Sequence, residues 1–172
     1  MSFALSARQK TLCKAGALFA GLMAAVPILV FLATGDMISK ALSVHETGPE
    51  PFTDPWRGLA SVLILVEIAL KTLLFAAVAR LLWILARGEA FTRDAARAAL
   101  AVGRIQLVLA AAMWLEPTLM RLFRGLGYGR VELSVAMTGP IATALLFGFV
   151  LLLLGTIYRS AVDAVEENRQ FV

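Results

Sequence analysis

The chain has 172 residues, of which 60% are hydrophobic and 16% are charged, and its mean hydropathy is +0.82. A soluble domain has about 45–50% apolar and about 25% charged residues, so the composition predicts an integral membrane protein. The net charge of +4 is interpreted as topological bias and attraction to anionic lipid, since no polar segment interleaves bases with aromatics as nucleic-acid binding would require. Cys13 is the single cysteine, which excludes an intramolecular disulfide and a cysteine-based metal cluster.

The first apolar run covers residues 15–34, long enough to cross a hydrocarbon core about 30 Å thick. Arg8, Lys10 and Lys14 precede it, and a basic segment before an apolar run also describes a signal peptide. This run is longer than a usual signal-peptide core, and no small-residue cleavage site follows it. We therefore expect an uncleaved first span, followed by an acidic, proline-rich loop.

The second apolar run, residues 58–85, contains Glu67 and Lys71 near its middle. The spacing of four residues puts both side chains on one helix face, with the acid in the favourable N-terminal position. Charges inside a membrane usually face protein or an aqueous cavity and often mark a functional path. A structural ion pair is the preferred interpretation, because the sequence indicates no third ionisable group at the same depth.

An arginine-rich connection follows, from Arg80 to Arg104, and leads into a third apolar run over residues 98–116. Thr92 is predicted to cap this helix, and Asp94 falls in its first turn, where a negative charge is favourable. We expect Glu116-Pro117 to end the helix and residues 119–124 to lie as a short amphipathic piece at the interface.

The fourth apolar run covers residues 140–158, opened by Gly139-Pro140. The N-terminal segment, the middle connection and the tail hold ten basic residues including those at the borders, and the two other loops hold five. Because basic residues resist translocation, both termini are expected to be cytoplasmic. The predicted fold is an all-α integral membrane four-helix bundle, with residues 1–172 forming one domain in the bacterial inner membrane.

Two motifs resemble a family of small bacterial four-span membrane proteins, the domain-of-unknown-function 2975 family. Arg87-Gly-Glu-Ala-Phe-Thr92, followed by Asp94, is similar to that family's G-x-P-F-T-x-x-N loop. Ala161, Glu166-Glu167-Asn168 and Val172 are similar to its closing A-x-x-L-x-E-E-N/D-x-x-V pattern. Proline is usual in the family where Ala90 stands here, and asparagine where Asp94 stands. The resemblance implies four helices, no established activity, and association with a small helix-turn-helix transcription regulator.

Two functions remain open from the sequence. The leading hypothesis is a non-enzymatic regulatory or interaction protein, whose cytoplasmic partner surface would combine the Arg-rich connection with the acid-rich tail. Its candidate residues are Arg87, Phe91, Arg93, Arg97, Asp163, Glu166 and Glu167. The alternative is a small transporter or channel subunit that uses Glu67 and Lys71 within a homo-oligomer.

An enzyme is not expected, because the chain lacks a zinc-protease motif, a P-loop and a serine elbow. We accordingly assign no catalytic, cofactor-binding or metal-ligating residues. The expected partners are the lipid bilayer, a cytosolic regulator protein and further copies of the chain, and nucleic acid is not expected to bind directly.

Overall fold

The computed structural model describes residues 5–34, 38, 42–43, 51–54, 56–90, 92–131, 133, 135 and 137–170, with the backbone alone at 31–34, 166 and 168–170. In this part of the chain the regular structure is helical, and no strand is present. The four long helices are α1 (Ala7–Thr34), α2 (Trp56–Ala86), α3 (Arg93–Gly127) and α4 (Gly139–Gln170). All four are long and apolar enough to cross a membrane. This confirms the predicted all-α class with four apolar helices.

Polar residues mark the helix starts. Ser6 and Gln9 form a reciprocal cap at α1: the Ser6 backbone N–H donates to Gln9 Oε1 at 2.9 Å, and the Gln9 N–H donates to Ser6 Oγ at 3.3 Å. Thr92 caps α3 as predicted, since its hydroxyl accepts from the Ala95 N–H at 3.2 Å. Each cap satisfies backbone donors that the first turn of a helix leaves without partners.

The third helix is longer than the sequence indicates. The expectation that Glu116-Pro117 ends it is wrong: α3 continues through Pro117 to Gly127, and residues 119–124 form part of it. Proline removes one backbone hydrogen bond, which packing against neighbouring helices can offset. Thr118, Met120 and Gly125 are buried beyond the proline, so the neighbours of these turns stabilise the helix where local propensity would end it.

Each helix packs mainly on its neighbours along the chain, and all four contribute walls to an apolar crevice of about 330 Å³. At one end of the bundle, Gly88 lies beside Lys10, and the start of α3 shares a cleft with the last turns of α4. We call this end, with the start of α1, the last turns of α4 and the connection between α2 and α3, the terminal end. The loop end lies opposite, where the Tyr128 hydroxyl donates to the Pro51 carbonyl oxygen at 3.1 Å.

Close approach of backbones joins α3 to α4. A Cβ atom at Gly103 would lie 2.7 Å from the Leu152 backbone nitrogen, and one at Gly155 would lie 3.1 Å from that of Leu100. Small residues permit this distance between two helices. The tightest helix pair in the described structure therefore depends on glycine.

Large apolar side chains point outward from the bundle. Leu18 and Phe19 on α1 are 71% and 61% exposed, and Leu146 on α4 is 66% exposed. The buried core is small by comparison: its cluster at the loop end is formed by Leu42, Phe52, Ala60, Ile64 and Met120. Apolar surface of this extent is rare on soluble monomers, and it is what a lipid-facing surface requires.

Candidate functional site

The ion pair predicted in the second apolar run is formed. Lys71 Nζ lies 2.6 Å from Glu67 Oε1, with the Glu67 side chain 16% exposed and that of Lys71 47% exposed. Glu67 stands eleven residues from the start of α2 at Trp56, which places it about 16 Å along the helix axis. The pair thus lies deep within an apolar helix, where an isolated charge would be costly.

Glu116 is a third ionisable group at the same depth. It stands eleven residues before the end of α3 at Gly127, level with Glu67 on the neighbouring helix. The Glu116 carboxyl group interacts electrostatically with Glu67 and with Lys71. The sequence-based expectation that the pair has no third partner is therefore wrong. We call Glu67, Lys71 and Glu116 the polar cluster.

The error came from the predicted end of α3. A helix that ends at Glu116-Pro117 would place Glu116 at the membrane surface rather than beside Glu67. A signal in the sequence opposed this interpretation, because apolar residues recur with helical spacing beyond the proline, at Leu119, Met120, Leu122, Phe123 and Leu126.

At the terminal end, residues of α3 and α4 line a cleft of about 490 Å³. Its floor contains Ala96 and Val162, which are 2% and 0% exposed. Its charged lining residues are Arg93, Arg97, Arg159, Asp163 and Glu167. We call this feature the terminal cleft. An apolar floor with both signs of charge around it can accept a polypeptide segment.

The ion pairs around the cleft are weak. Arg159 Nε lies 3.9 Å from Asp163 Oδ2, and Arg97 Nη1 lies 3.6 Å from Asp94 Oδ1. All four side chains are about half exposed or more, and pairs in water contribute about 0–1 kcal/mol. A partner could displace such contacts at little cost in stability.

The structure brings together four of the predicted partner-surface residues, Arg93, Arg97, Asp163 and Glu167. Arg87 does not line the cleft; its guanidinium lies 5.6 Å from the centre of the Trp83 ring, a cation–π distance. Phe91 and the side chain of Glu166 lie outside the described residues.

Arg159 is the charged residue of the terminal cleft that was not predicted from the sequence. Its spacing of four from Asp163 was the available signal, because such residues share a helix face.

The connection between α2 and α3 is short and hydrogen-bonded. Gly88 has φ of +84° just after α2, a left-handed conformation that favours glycine at a helix end. Its N–H donates to the Leu85 carbonyl oxygen at 2.9 Å, and the Thr92 hydroxyl donates to the Glu89 carbonyl oxygen at 2.9 Å. These contacts set the position at which α3, with Arg93 and Arg97, begins.

Comparison of the chain with protein-family models, with curated proteins and with solved structures gives no match. The polar cluster and the terminal cleft are therefore the two features whose chemistry bears on function.

Proposed function

We propose that this chain is a multi-pass protein of the bacterial inner membrane that acts as a non-enzymatic interaction protein through the terminal cleft. The observation that carries the proposal is the shared lining of that cleft by residues from the start of α3 and the end of α4. Two segments separated by more than sixty residues of sequence combine there into one surface with an apolar floor and charged walls.

The proposed topology has both termini and the cleft in the cytoplasm. Ten basic residues in the N-terminal segment, the α2–α3 connection with its flanking turns and the tail, against five between α1 and α2 or towards the start of α4, support this orientation. The outward-facing apolar side chains of α1 and α4 support insertion into lipid.

The proposed partner is a cytosolic regulator protein. The resemblance to the domain-of-unknown-function 2975 family suggests a small helix-turn-helix transcription regulator. Its docking segment should carry both signs of charge and one or two apolar side chains, because the cleft presents arginines beside Asp163 and Glu167 over Ala96 and Val162. Displacement of the weak pairs at the cleft by this segment would allow binding at little cost in stability.

Charge reversal tests the proposal more cleanly than removal of the tail. Val162 is fully buried, so truncation before it would also disturb packing. We expect Arg93→Glu/Arg97→Glu to abolish photocrosslinking of the regulator from a reactive residue at position 163. A matched reversal on α1, Arg8→Glu/Lys14→Glu, should leave that crosslink unchanged. Equal crosslinking by both variants would contradict the proposal.

Topology is tested separately with reporter fusions. Fusions after Arg93 and after Val172 should show cytoplasmic activity, and a fusion after Glu50 should show external activity. External activity after Arg93 would overturn the orientation, whatever the crosslinking result.

The polar cluster favours a second candidate function, a small transporter or channel subunit. Glu67 and Glu116 are neighbouring carboxyl groups beside the Lys71 ammonium. Two acids next to a base within membrane helices have the components of a proton relay. One four-helix chain has little room for a path, so this function requires a homo-oligomer.

Proton flux into vesicles containing the purified protein tests the second candidate. We expect flux in the native chain and none in Glu116→Gln, which retains the size and hydrogen-bonding capacity of the side chain. Absence of flux in the native protein would contradict this function and leave the cleft proposal unaffected.

A further inference from the structure

A second surface feature lies between α2 and α3. A groove of about 500 Å³ runs along these helices from the terminal end towards the middle of the bundle. Half of its eight lining residues are alanines: Ala76, Ala77, Ala98 and Ala101. Small side chains at these positions leave open the space between the two helices that larger residues would fill.

Two arginines stand at one end of the groove. Arg80 is six residues before the end of α2, and Arg97 is four residues after the start of α3. These spacings put both guanidinium groups within about 9 Å of the same ends of their helices. The remainder of the groove, as far as Leu73 and Ile105, is apolar. The charged residues of the groove are therefore at its terminal end, which we call its mouth, and the rest of its length is uncharged.

Neither arginine is neutralised strongly. Arg80 is exposed and forms no ion pair with an acid in the described ranges. Arg97 is 75% exposed, and its contact with Asp94 is 3.6 Å. Both guanidinium groups can therefore donate hydrogen bonds to an anionic oxygen, for which their planar geometry is well suited.

We propose that this groove binds an anionic phospholipid, with the headgroup phosphate between Arg80 and Arg97 and an acyl chain along the alanines. From Arg97 to Ile105 the helix extends about 12 Å, so the apolar section accommodates part of an acyl chain. A soluble anion would use only the mouth, and a neutral apolar ligand would not use the arginines. Basic pockets between membrane helices commonly hold acidic lipid headgroups. The inference depends on the proposed membrane insertion and not on the cytosolic partner.

The experiment compares two lipids with the same acyl chains, dioleoyl phosphatidylglycerol and dioleoyl phosphatidylcholine. Binding to the full chain in neutral detergent is titrated by native mass spectrometry. We expect tighter binding of phosphatidylglycerol. Arg80→Gln should weaken it about five-fold, and Arg80→Gln/Arg97→Gln more strongly, while phosphatidylcholine binding changes little.

Two further variants separate a site from general attraction. Arg8→Gln/Lys14→Gln removes the same charge from the same end on α1, and it should leave phosphatidylglycerol affinity unchanged. Ala101→Leu retains all charges and fills the groove, so it should weaken both lipids. Circular dichroism of each variant before titration establishes that it is folded.

Two results would overturn the proposal. Equal losses in the α1 variant and the arginine variant would show non-specific attraction and overturn the proposal. Unchanged binding in Ala101→Leu would show that the acyl chain does not occupy the groove, and would also overturn it. Because Arg80 lies outside the terminal cleft, Arg80→Gln should still crosslink the regulator, which distinguishes failure of the lipid site from failure of the proposed function.

Discussion

Helix α3 is held by different means on its two sides. Towards α4 it presents Gly103, where an added Cβ would collide with the Leu152 backbone. Towards α2 it presents Glu116 to Glu67, and nearer the terminal end a groove remains between the helices. In the proposed membrane setting helices gain no hydrophobic energy from association, so close packing and contacts between polar side chains hold them together. Helix α3 has close packing on one side and polar side chains on the other.

The two sides of α3 also differ in how freely their contacts can change. The α3–α4 contact has little freedom, because its distance is determined by backbone atoms. The α2–α3 contact includes ionisable side chains and open space, whose interactions change with protonation or ligand. We infer that α3 and α4 form the stable unit and that changes in state occur between α2 and α3.

The largest expected effect comes from breaking the α2–α3 side at the polar cluster. Glu67→Met/Glu116→Met leaves the Lys71 ammonium without either acid in an apolar region. Loss of the partner of a fully buried charge costs about 3–5 kcal/mol, and full apolar replacement is often neutral. The Lys71 side chain is 47% exposed in the bundle, so we expect the lower end of that range. We expect the double variant to unfold in detergent at a markedly lower temperature than the native chain.

The control for that prediction is Glu67→Met/Lys71→Met/Glu116→Met, which removes all three charges and should be close to native stability. If the double and triple variants unfold at the same temperature, the stranded charge is not what destabilises this interface. The triple variant should also lose proton flux if the second candidate function is correct.

A smaller effect is expected on the α3–α4 side. Gly103→Ala places a methyl group against the Leu152 backbone, and overpacking typically costs about 1–3 kcal/mol. Gly21→Ala is the matched control on α1, where no atom lies within 4 Å of the added Cβ. Alanine favours helix over glycine by about 1 kcal/mol. The two variants should therefore change the unfolding free energy in opposite directions, and a shared direction would refute the close-contact explanation.

The smallest effect on stability is expected at the terminal cleft. Arg159→Gln removes the exposed contact with Asp163, whose atoms are 3.9 Å apart, and should cost about 0–1 kcal/mol. The same variant should reduce crosslinking of the regulator, because Arg159 lines the cleft. A loss of stability comparable to that of Gly103→Ala would mean that the cleft is a packing element rather than a docking surface.

Much of this architecture could be predicted from local patterns. The four apolar runs predicted four helices, and Thr92 followed by Asp94 predicted the start of α3. The spacing of Glu67 and Lys71 predicted their contact. Each of these features depends on residues within a few positions of one another, where helix geometry alone determines which side chains meet.

The predicted site was incomplete for a related reason. Arg87 is close to Arg93 and Arg97 in sequence, but its guanidinium lies over Trp83, four residues earlier in α2. Arg159 was omitted although it faces the same cleft as Arg93. Proximity along the chain does not determine on which side of a helix end a side chain lies.

From its sequence alone this protein is determined to be helical, with four segments apolar enough to cross a membrane and a marked bias of basic residues towards one set of connections. Composition and helical spacing carry that information locally. The tertiary structure decided that α3 continues past Pro117, because burial of Met120 and its neighbours stabilises turns that proline disfavours. That extension brings Glu116 level with Glu67. A contact between residues 49 positions apart depends on where two helices end and how they pack, which no local pattern specifies.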